Sequence, residues 1–166
     1  MKVGVVFSAT PKDGGVYDFT KSILMNSKNK DELIILKYKG VHLSNAITKK
    51  FKVFEIYKSN DILSKLFRLF AIIFNINIEK YIYYSFPFLK QIDFYYAPTS
   101  STFPHVYLNK SFCFTLHDLQ HKYYPKNFSF IEILSRNFIF KTLIKKSRLI
   151  HCESEHVKSD ILKFFN

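Results

Sequence analysis

A histidine and an aspartate stand side by side at the point where an apolar run ends. The run covers residues 112–116, and His117 and Asp118 follow it directly. An aromatic segment that contains Pro125 comes next. Such a run is typical of a strand buried in a parallel sheet, and the carboxyl ends of these strands deliver polar side chains to the ligand-binding crevice. The pair therefore indicates a functional rim; the alternative is a turn that the two residues merely close.

A second candidate is the glycine pair Gly14-Gly15, which separates the first predicted strand from the first predicted helix. Glycine lets the backbone turn tightly and lets a ligand approach the helix N-terminus, where free N–H groups and the helix dipole favour phosphate. Neither a full dinucleotide-binding fingerprint nor a Walker A sequence surrounds the pair. We expect it at the same edge of the sheet as His117, although a plain strand-to-helix turn would also explain it.

The spacing of His117, Asp118 and His121 imitates the zinc-binding motif of metalloproteases, with Asp in place of Glu. That motif requires a helix, because two histidines four residues apart must share one face to hold one metal ion. The preceding residues are β-like and Pro125 follows closely, so the helix should not form. We therefore expect no metal site. His117 fits better as a charged group that hydrogen-bonds a sugar hydroxyl or phosphate, and His121 and His151 as structural or surface residues.

The composition is that of a globular domain with a strongly basic surface. The chain has 166 residues, 48% of them hydrophobic, so we expect a single domain over residues 1–166 with ample core material. A formal net charge of +12 favours nucleic acid, an anionic membrane face or phosphorylated substrates as partners. No segment matches a nucleic-acid-binding signature, so we expect no nucleic-acid partner. A basic solvated surface without a partner is the alternative interpretation.

The two cysteines and the first residues bear on the cellular compartment. Cys113 and Cys152 both lie in apolar strand-like runs. We interpret them as reduced core residues of a cytosolic protein, since their spacing fits neither a disulfide framework nor a metal site. The chain enters a strand directly after Met1 and Lys2, so we expect no signal peptide and a cytoplasmic location.

Short β-rich runs alternate with segments of helical periodicity. The predicted strands cover residues 3–7, 33–36, 52–57, 92–96, 112–116 and 149–152. The predicted helices cover residues 16–25, a segment through 74 capped by Asn60 or Asp61, residues 130–146 capped by Ser129, and a last helix through 165 capped by Ser154 or Glu153. This order predicts an α/β fold, a Rossmann-like three-layer sandwich with a mostly parallel sheet.

Local patterns refine this picture. Glu132, three residues after Ser129, completes a capping box. In the first helix, the residues expected on one apolar face are Val16, Phe19 and Ile23. Residues 40–50 are polar and basic and are expected at the surface. Residues 79–89 fit either a helix against the sheet or an aromatic surface patch.

Several of these segments together resemble family-4 glycosyltransferases. Residues 115–129 look like the HDLQH…P…FS segment of that family. Arg136 and residues 147–161 resemble the helix, strand and helix that follow it. Residues 93–98 look like the family's D-x-x-x-x-P strand, and Gly14-Gly15-Val16 like the glycines of its first loop. The match spans the whole chain, and residues 114–160 are its specific part.

The resemblance implies a retaining enzyme of the GT-B fold, in which two Rossmann-like domains cooperate. This chain corresponds to the amino-terminal half, which mainly holds the acceptor. The implied activity is transfer of a hexose from a nucleotide-sugar donor to a polysaccharide or glycolipid acceptor, and we expect no cofactor. Gly14 and Gly15 then approach the donor diphosphate, and His117 lies near the donor sugar as the catalytic residue. Asp118 is expected to orient its neighbours.

The resemblance also implies a second domain, with basic donor-phosphate residues and paired glutamates. The sequence ends at Asn166, after the last helix expected of the first domain. We therefore expect that the carboxy-terminal donor-binding domain is absent and that the fragment alone folds without robust turnover, because half of the charge stabilisation is missing. The alternative function is a non-catalytic binding module that docks a separately encoded donor-binding domain.

One predicted helix suggests a membrane surface as a further partner. It combines an apolar face with Lys58, Lys65 and Arg68, and residues 81–88 add aromatics. Such helices lie on anionic headgroups, and the apolar run here is far shorter than the about 20 residues that span a bilayer. The hypothesis is peripheral association with the inner membrane face, where a lipid-linked acceptor would lie. In the alternative, the helix packs its apolar residues on the sheet, among them Leu66, Phe70 and Ile73.

Overall fold

The computed structural model describes residues 1–28, 32–57 and 62–165, which form one parallel sheet with helices on both faces. The strands are β1 (Val3–Phe7), β2 (Leu33–Tyr38), β3 (Lys52–Ile56), β4 (Phe94–Ala97), β5 (Ser111–Leu116) and β6 (Leu149–Cys152). The helices are α1 (Gly15–Asn26), α2 (Asn45–Thr48), α3 (Ile62–Ile73), α4 (Glu79–Ser85), α5 (Gln120–Tyr123), α6 (Phe130–Lys146) and α7 (Glu155–Phe165). The predicted Rossmann-like three-layer α/β fold is confirmed.

The strand order is β3-β2-β1-β4-β5-β6, and every neighbouring pair is parallel. The chain therefore builds the sheet in one direction from β1 and in the other from β4. In doubly wound sheets of this order, ligands bind outside the carboxyl ends of the strands at the reversal, here between β1 and β4. The register of the last pair sets Leu116 opposite Cys152, so residues 117 and 153 leave the sheet side by side.

The core has two parts, one on each face of the sheet. On one face α1 and α2 cover the strands, and the buried residues include Val5, Phe7, Tyr17, Leu24, Ile35 and Ile47. On the other face α4, α6 and α7 pack, with buried residues that include Ile82, Tyr95, Phe114, Phe140, Leu143, Val157 and Ile161. The central strands β1, β2 and β5 are buried on both sides and appear in the sequence as apolar runs, which is why their positions could be predicted.

Helix α1 buries a different face from the one predicted. Its buried residues are Tyr17, Thr20 and Leu24, whereas Val16, Phe19 and Ile23 are half-buried. The Tyr17 ring packs edge-on against Phe7, with centroids 5.6 Å apart. Thr20 is buried without an unpaired hydroxyl because its Oγ1 donates to the Val16 carbonyl at 2.8 Å. This rotation leaves Phe19 at the edge of the helix, facing β5 and β6 rather than the centre of the core.

The segment of residues 40–50 is not purely a surface connection. It contains α2 and buries Val41 and Ile47. Lys49 and Lys50 are exposed. The prediction of a surface segment therefore holds for these basic residues but not for Val41 and Ile47. The ambiguous segment of residues 79–89 likewise divides: Ile82, Phe86 and Leu89 are buried, Tyr83 is half-buried, and Tyr81 and Tyr84 are exposed.

The helix ends agree with the sequence patterns where the structure describes them. Ser129 Oγ accepts from the Glu132 N–H at 3.3 Å, and Glu132 Oε2 accepts from the Ser129 N–H at 2.7 Å, so the capping box of α6 is confirmed. Ser154 Oγ accepts from the Val157 N–H at 3.2 Å and caps α7. The predicted cap of α3 at Asn60 or Asp61 lies outside the described residues.

Gly4 lies within β1, where there is no room for a side chain. A Cβ atom there would lie 2.8 Å from Ile92 Cδ1 and 3.2 Å from Tyr95 Cδ1. We expect Gly4→Val to lower the free energy of unfolding by about 1–3 kcal/mol, because overpacking forces neighbours out of their preferred rotamers. Urea denaturation measures this. Gly15→Val is the control, since its Cβ would meet no atom within 4 Å; equal denaturation midpoints for the two variants would contradict the expectation.

Candidate functional site

The crevice between β1 and β4 has a polar floor. Ser8 follows β1 and Thr99 lies two residues beyond β4. Their side-chain hydroxyls share a hydrogen bond of 2.7 Å. This contact joins β1 and β4, where the order in which strands are added to the sheet reverses. It leaves hydroxyl oxygens rather than apolar groups at the bottom of the crevice.

The glycine pair lies at the start of α1, as predicted. Gly14 has a φ of 54°, in the left-handed region that favours glycine. A Cβ at either Gly14 or Gly15 would meet nothing within 4 Å, so the space beside both residues is open. Among the described side chains, none caps this helix end. The helix dipole and the open space together favour an anion at this position.

The His117 side chain connects the ends of three strands. Its Nδ1 lies 2.8 Å from Glu153 Oε1, just beyond β6, and its Nε2 lies 2.8 Å from the Pro98 carbonyl oxygen, just beyond β4. A carboxylate and a carbonyl only accept hydrogen bonds, so both contacts are hydrogen bonds at once only when each ring nitrogen carries a proton. Because 18% of this side chain is exposed, the ring lies close to the crevice surface.

This geometry constrains how a ligand can use His117. Both ring nitrogens already have partners inside the protein. A sugar hydroxyl can accept from Nε2 only by replacing the Pro98 carbonyl oxygen. The arrangement thus suits a fixed orientation of the ring at the crevice better than proton transfer.

Glu153 is the site residue that sequence reasoning missed. The sequence suggested it only as an alternative cap for the last helix, a role that Ser154 fills. Glu153 lies 36 residues from His117 along the chain, and their contact arises from the register of β5 and β6. Both strands were predicted with their correct last residues, Leu116 and Cys152. Pairing these two residues would have placed His117 next to Glu153.

Phe19 brings the glycine pair and His117 to the same corner of the domain. Its ring centroid lies 5.4 Å from that of His117, and the rings are almost perpendicular. Phe19 also lies 5.7 Å from the ring of His151. Four residues separate Phe19 from Gly15, or about 6 Å along the helix axis. The expectation that the two motifs share one edge of the sheet is confirmed.

The neighbours of His117 have local structural contacts. Asp118 Oδ1 accepts from the Gln120 N–H at 3.1 Å, an arrangement that orients the start of α5. His121 is buried, its Nε2 lies 3.0 Å from Asn137 Oδ1, and burial lowers its pKa. Helix α5 begins at Gln120, so His117 and His121 do not share a helix face. Within the described ranges, no group of three or more His, Cys, Asp or Glu side chains could hold a metal ion.

A second polar group lies on the sheet face beside this corner. Tyr96 Oη and Thr115 Oγ1 are 2.8 Å apart, and each lies 3.3 Å from His151 Nδ1. Burial raises the pKa of Tyr96 to about 12, so the phenol stays protonated near neutral pH. Cys113 and Cys152 are free and half-buried, and burial raises the pKa of both thiols. These groups are hydrogen-bonding or packing elements rather than nucleophiles.

Comparisons of the chain with models of protein families, with curated proteins and with solved structures found no match. The likeness to family-4 glycosyltransferases therefore rests on the motif residues themselves. What the fold adds is their arrangement: an open helix end and the His117 ring at one crevice of a Rossmann-like sheet.

Proposed function

We propose that this chain is the acceptor-side domain of a retaining glycosyltransferase of the GT-B type. The reaction transfers a hexose from a nucleotide-sugar donor to a polysaccharide or glycolipid acceptor. The observation that supports it is the joint placement of Gly14-Gly15 and His117 at the β1–β4 crevice. A donor diphosphate fits the open N-terminus of α1, and the donor sugar then lies toward His117.

The chemistry explains why this placement suits the reaction. The bond between the sugar carbon and the diphosphate oxygen breaks, and its electron pair leaves with the nucleoside diphosphate. The acceptor hydroxyl forms the new glycosidic bond and passes its proton to an oxygen of the departing diphosphate. Negative charge grows on that phosphate before the proton arrives, where the dipole of α1 and a His117 ring with a proton on both nitrogens stabilise it. Glu153 holds the ring in position.

The competing proposal is a non-catalytic module that docks a separately encoded donor-binding domain. It is favoured by the internal contacts of the two polar rim residues. His117 is bonded through both nitrogens and Asp118 accepts from the Gln120 N–H, so neither can transfer a proton without losing a contact. A purely structural rim would show the same contacts.

Assay of the natural polypeptide that contains this chain separates the two proposals. A panel of nucleotide sugars should give release of one nucleoside diphosphate that depends on a saccharide or lipid-linked acceptor. A binding module would release no nucleoside diphosphate from any donor, even after addition of the acceptor. The coding sequence downstream of residue 166 offers a quick check, because a donor-binding domain encoded there favours the enzyme.

We propose in addition that the chain associates peripherally with a membrane. Helix α3 supports this proposal. It exposes the apolar residues Ile62, Leu63, Leu66, Phe67, Leu69, Phe70 and Ile73, and its buried residue is Ala71. The alternative expectation, that Leu66, Phe70 and Ile73 pack on the sheet, is wrong. Helix α4 and the turn that follows it already cover this part of the sheet with Ile82, Phe86 and Leu89.

The exposed surface near α3 has the composition of an interfacial helix. Tyr81 and Tyr84 extend its aromatic character, whereas Phe86 is buried and Phe88 half-buried, so the aromatic patch is narrower than expected. Among the described helices, none is long and apolar enough to cross a membrane. With a net charge of +12 on the chain, an anionic membrane surface on the cytoplasmic side is the partner whose charge is complementary.

Liposome flotation tests this association. The chain should bind anionic vesicles, and the binding should weaken as salt screens the headgroups. The double variant Leu63→Ser/Phe67→Ser should reduce binding about tenfold or more, because two apolar side chains no longer enter the interface. Comparable recovery with neutral and anionic vesicles would contradict the proposal.

A matched control distinguishes insertion of α3 from general surface hydrophobicity. Phe130→Ser/Leu134→Ser removes the same two residue types at the same spacing from α6. The exposed fractions are also similar, at 79% and 51% for Leu63 and Phe67 against 73% and 53% for Phe130 and Leu134. This control should bind as the parent chain does. Equal losses from the two double variants would show that α3 has no particular role.

A further inference from the structure

A groove runs along the amino-terminal edge of the sheet, at the opposite end from His117. A cavity of about 510 Å³ lies between the loop after α3, the start of β5 and the connection from α6 to β6. A second cavity, of about 440 Å³, lies between α3 and α6. The two share Asn75 and Lys146 and form one continuous depression, which we call the α3–α6 groove.

The groove is strongly basic. Lys110, Lys146 and Arg148 line the first cavity, and Lys141 and Lys145 line the second. The ion pairs found among the described residues involve none of these five side chains. The acidic residue that lines the first cavity is Glu79, whose Oε1 accepts from the Asn109 N–H at 2.9 Å. The groove thus has a cluster of cations without ion-pair partners in the described chain.

The positive charges of Lys145 and Lys146 are close enough to oppose one another. Burial, together with the charge of Lys145, lowers the pKa of Lys146. Beneath the groove, His105 is fully buried and adds no charge, because burial lowers its pKa to about 3. A bound anion would relieve the repulsion between the lysines, and an arginine beside them can hold a phosphate through two N–H groups.

The second cavity has apolar walls. Ile72, Ile73 and Phe138 line it together with its lysines. Ile73 belongs at the same time to the exposed apolar face of α3. The groove therefore offers a cationic position at one end and an apolar path that continues into the surface proposed to lie on a membrane. This combination matches an amphiphile with a phosphate headgroup.

We propose that the α3–α6 groove binds the phosphomonoester headgroup of an anionic lipid in the membrane on which α3 lies. The proposal rests on the membrane association inferred above, since that surface presents the lipid. The headgroup contacts Lys110, Lys146 and Arg148, and the first part of its chain follows Ile72 and Ile73. A phosphomonoester carries more charge than a phosphodiester, so a cavity lined by three cations selects it.

Vesicles of matched surface charge test this selectivity. The chain should bind vesicles with phosphatidic acid about fivefold more tightly than vesicles with phosphatidylserine. Lys146→Gln/Arg148→Gln should abolish the preference and keep the charge-dependent binding to phosphatidylserine. Lys49→Gln/Lys50→Gln, at exposed positions at the end of α2, removes the same charge and should keep the preference. Identical behaviour of the two variants would overturn the proposal.

A soluble lipid separates this proposal from the membrane proposal. Monomeric dihexanoyl phosphatidic acid should shift the amide resonances of Lys146 and Arg148 in the parent chain and not in Lys146→Gln/Arg148→Gln. Such shifts without vesicle binding would support the headgroup site and reject membrane association. Vesicle binding without such shifts would reject the headgroup site alone. Equal shifts with inorganic phosphate would show a site for free phosphate and overturn the lipid assignment.

Discussion

Replacing His117 by alanine in the polypeptide that contains this chain should lower kcat about 10- to 100-fold, equivalent to about 1.4–2.7 kcal/mol of transition-state stabilisation. The substitution removes the ring that faces the departing phosphate in the proposed reaction. It also leaves Glu153 and the Pro98 carbonyl without their shared partner. Steady-state release of nucleoside diphosphate measures the effect, and circular dichroism verifies that the fold survives.

Glu153→Gln distinguishes the charge of the ring from its mere presence. A glutamine can accept from or donate to Nδ1, so the ring no longer needs a proton on both nitrogens. We expect kcat to fall about tenfold with little change in KM, because the ring loses the carboxylate that fixes its protons and its orientation. Glu155→Gln, the same change at an exposed position of α7, should leave both unchanged. An unaltered kcat in Glu153→Gln would mean that the charge of His117 has no part in the reaction.

The second large effect is expected at the start of α1. Gly15→Val should lower kcat/KM about 100-fold, because its branched side chain fills the space through which a diphosphate approaches the helix end and displaces it by an ångström or more. Gly15→Ala should lie between the parent and the valine variant. The protein itself has room for either side chain, so the unfolding midpoint should not fall.

Ser22→Val serves as the control for Gly15→Val, since it places valine at an exposed position of the same helix. It should retain full kcat/KM. Full activity in both Gly15→Val and His117→Ala would show that the site has been assigned to the wrong corner, even though the fold is correct. Loss of activity in Gly15→Val together with unfolding would instead mean that the glycine is needed for the turn.

The fold could be predicted because the strands at the centre of its sheet are buried on both faces. These strands appear as apolar runs, and β1 begins and ends at the residues that the sequence indicates, as does the more exposed β6. The capping box at Ser129 identifies the start of α6 equally well, since it depends on two residues three positions apart. Such short-range patterns contain the information that places an element along the chain.

Features that depend on distant neighbours could not be predicted in this way. The spacing of apolar residues marks α3 as amphipathic, but whether Leu66 and Phe70 face a core depends on α4, which occupies the sheet instead. The rotation of α1 depends on the fit between Tyr17 and Phe7 across the sheet surface. Glu153 joins the site through a strand register, and single-residue periodicity does not specify a register between two strands.

The position of β6 in the sheet has a consequence for the behaviour of His117 over time. Among the described strands, β6 pairs with β5 alone, through four residues. Short edge strands open by local unfolding far more often than a whole domain unfolds, and their amide hydrogens exchange with solvent accordingly. Each opening withdraws Glu153 from the imidazole and returns it on closing. The contact between His117 and Glu153 therefore lasts only as long as β6 stays paired with β5.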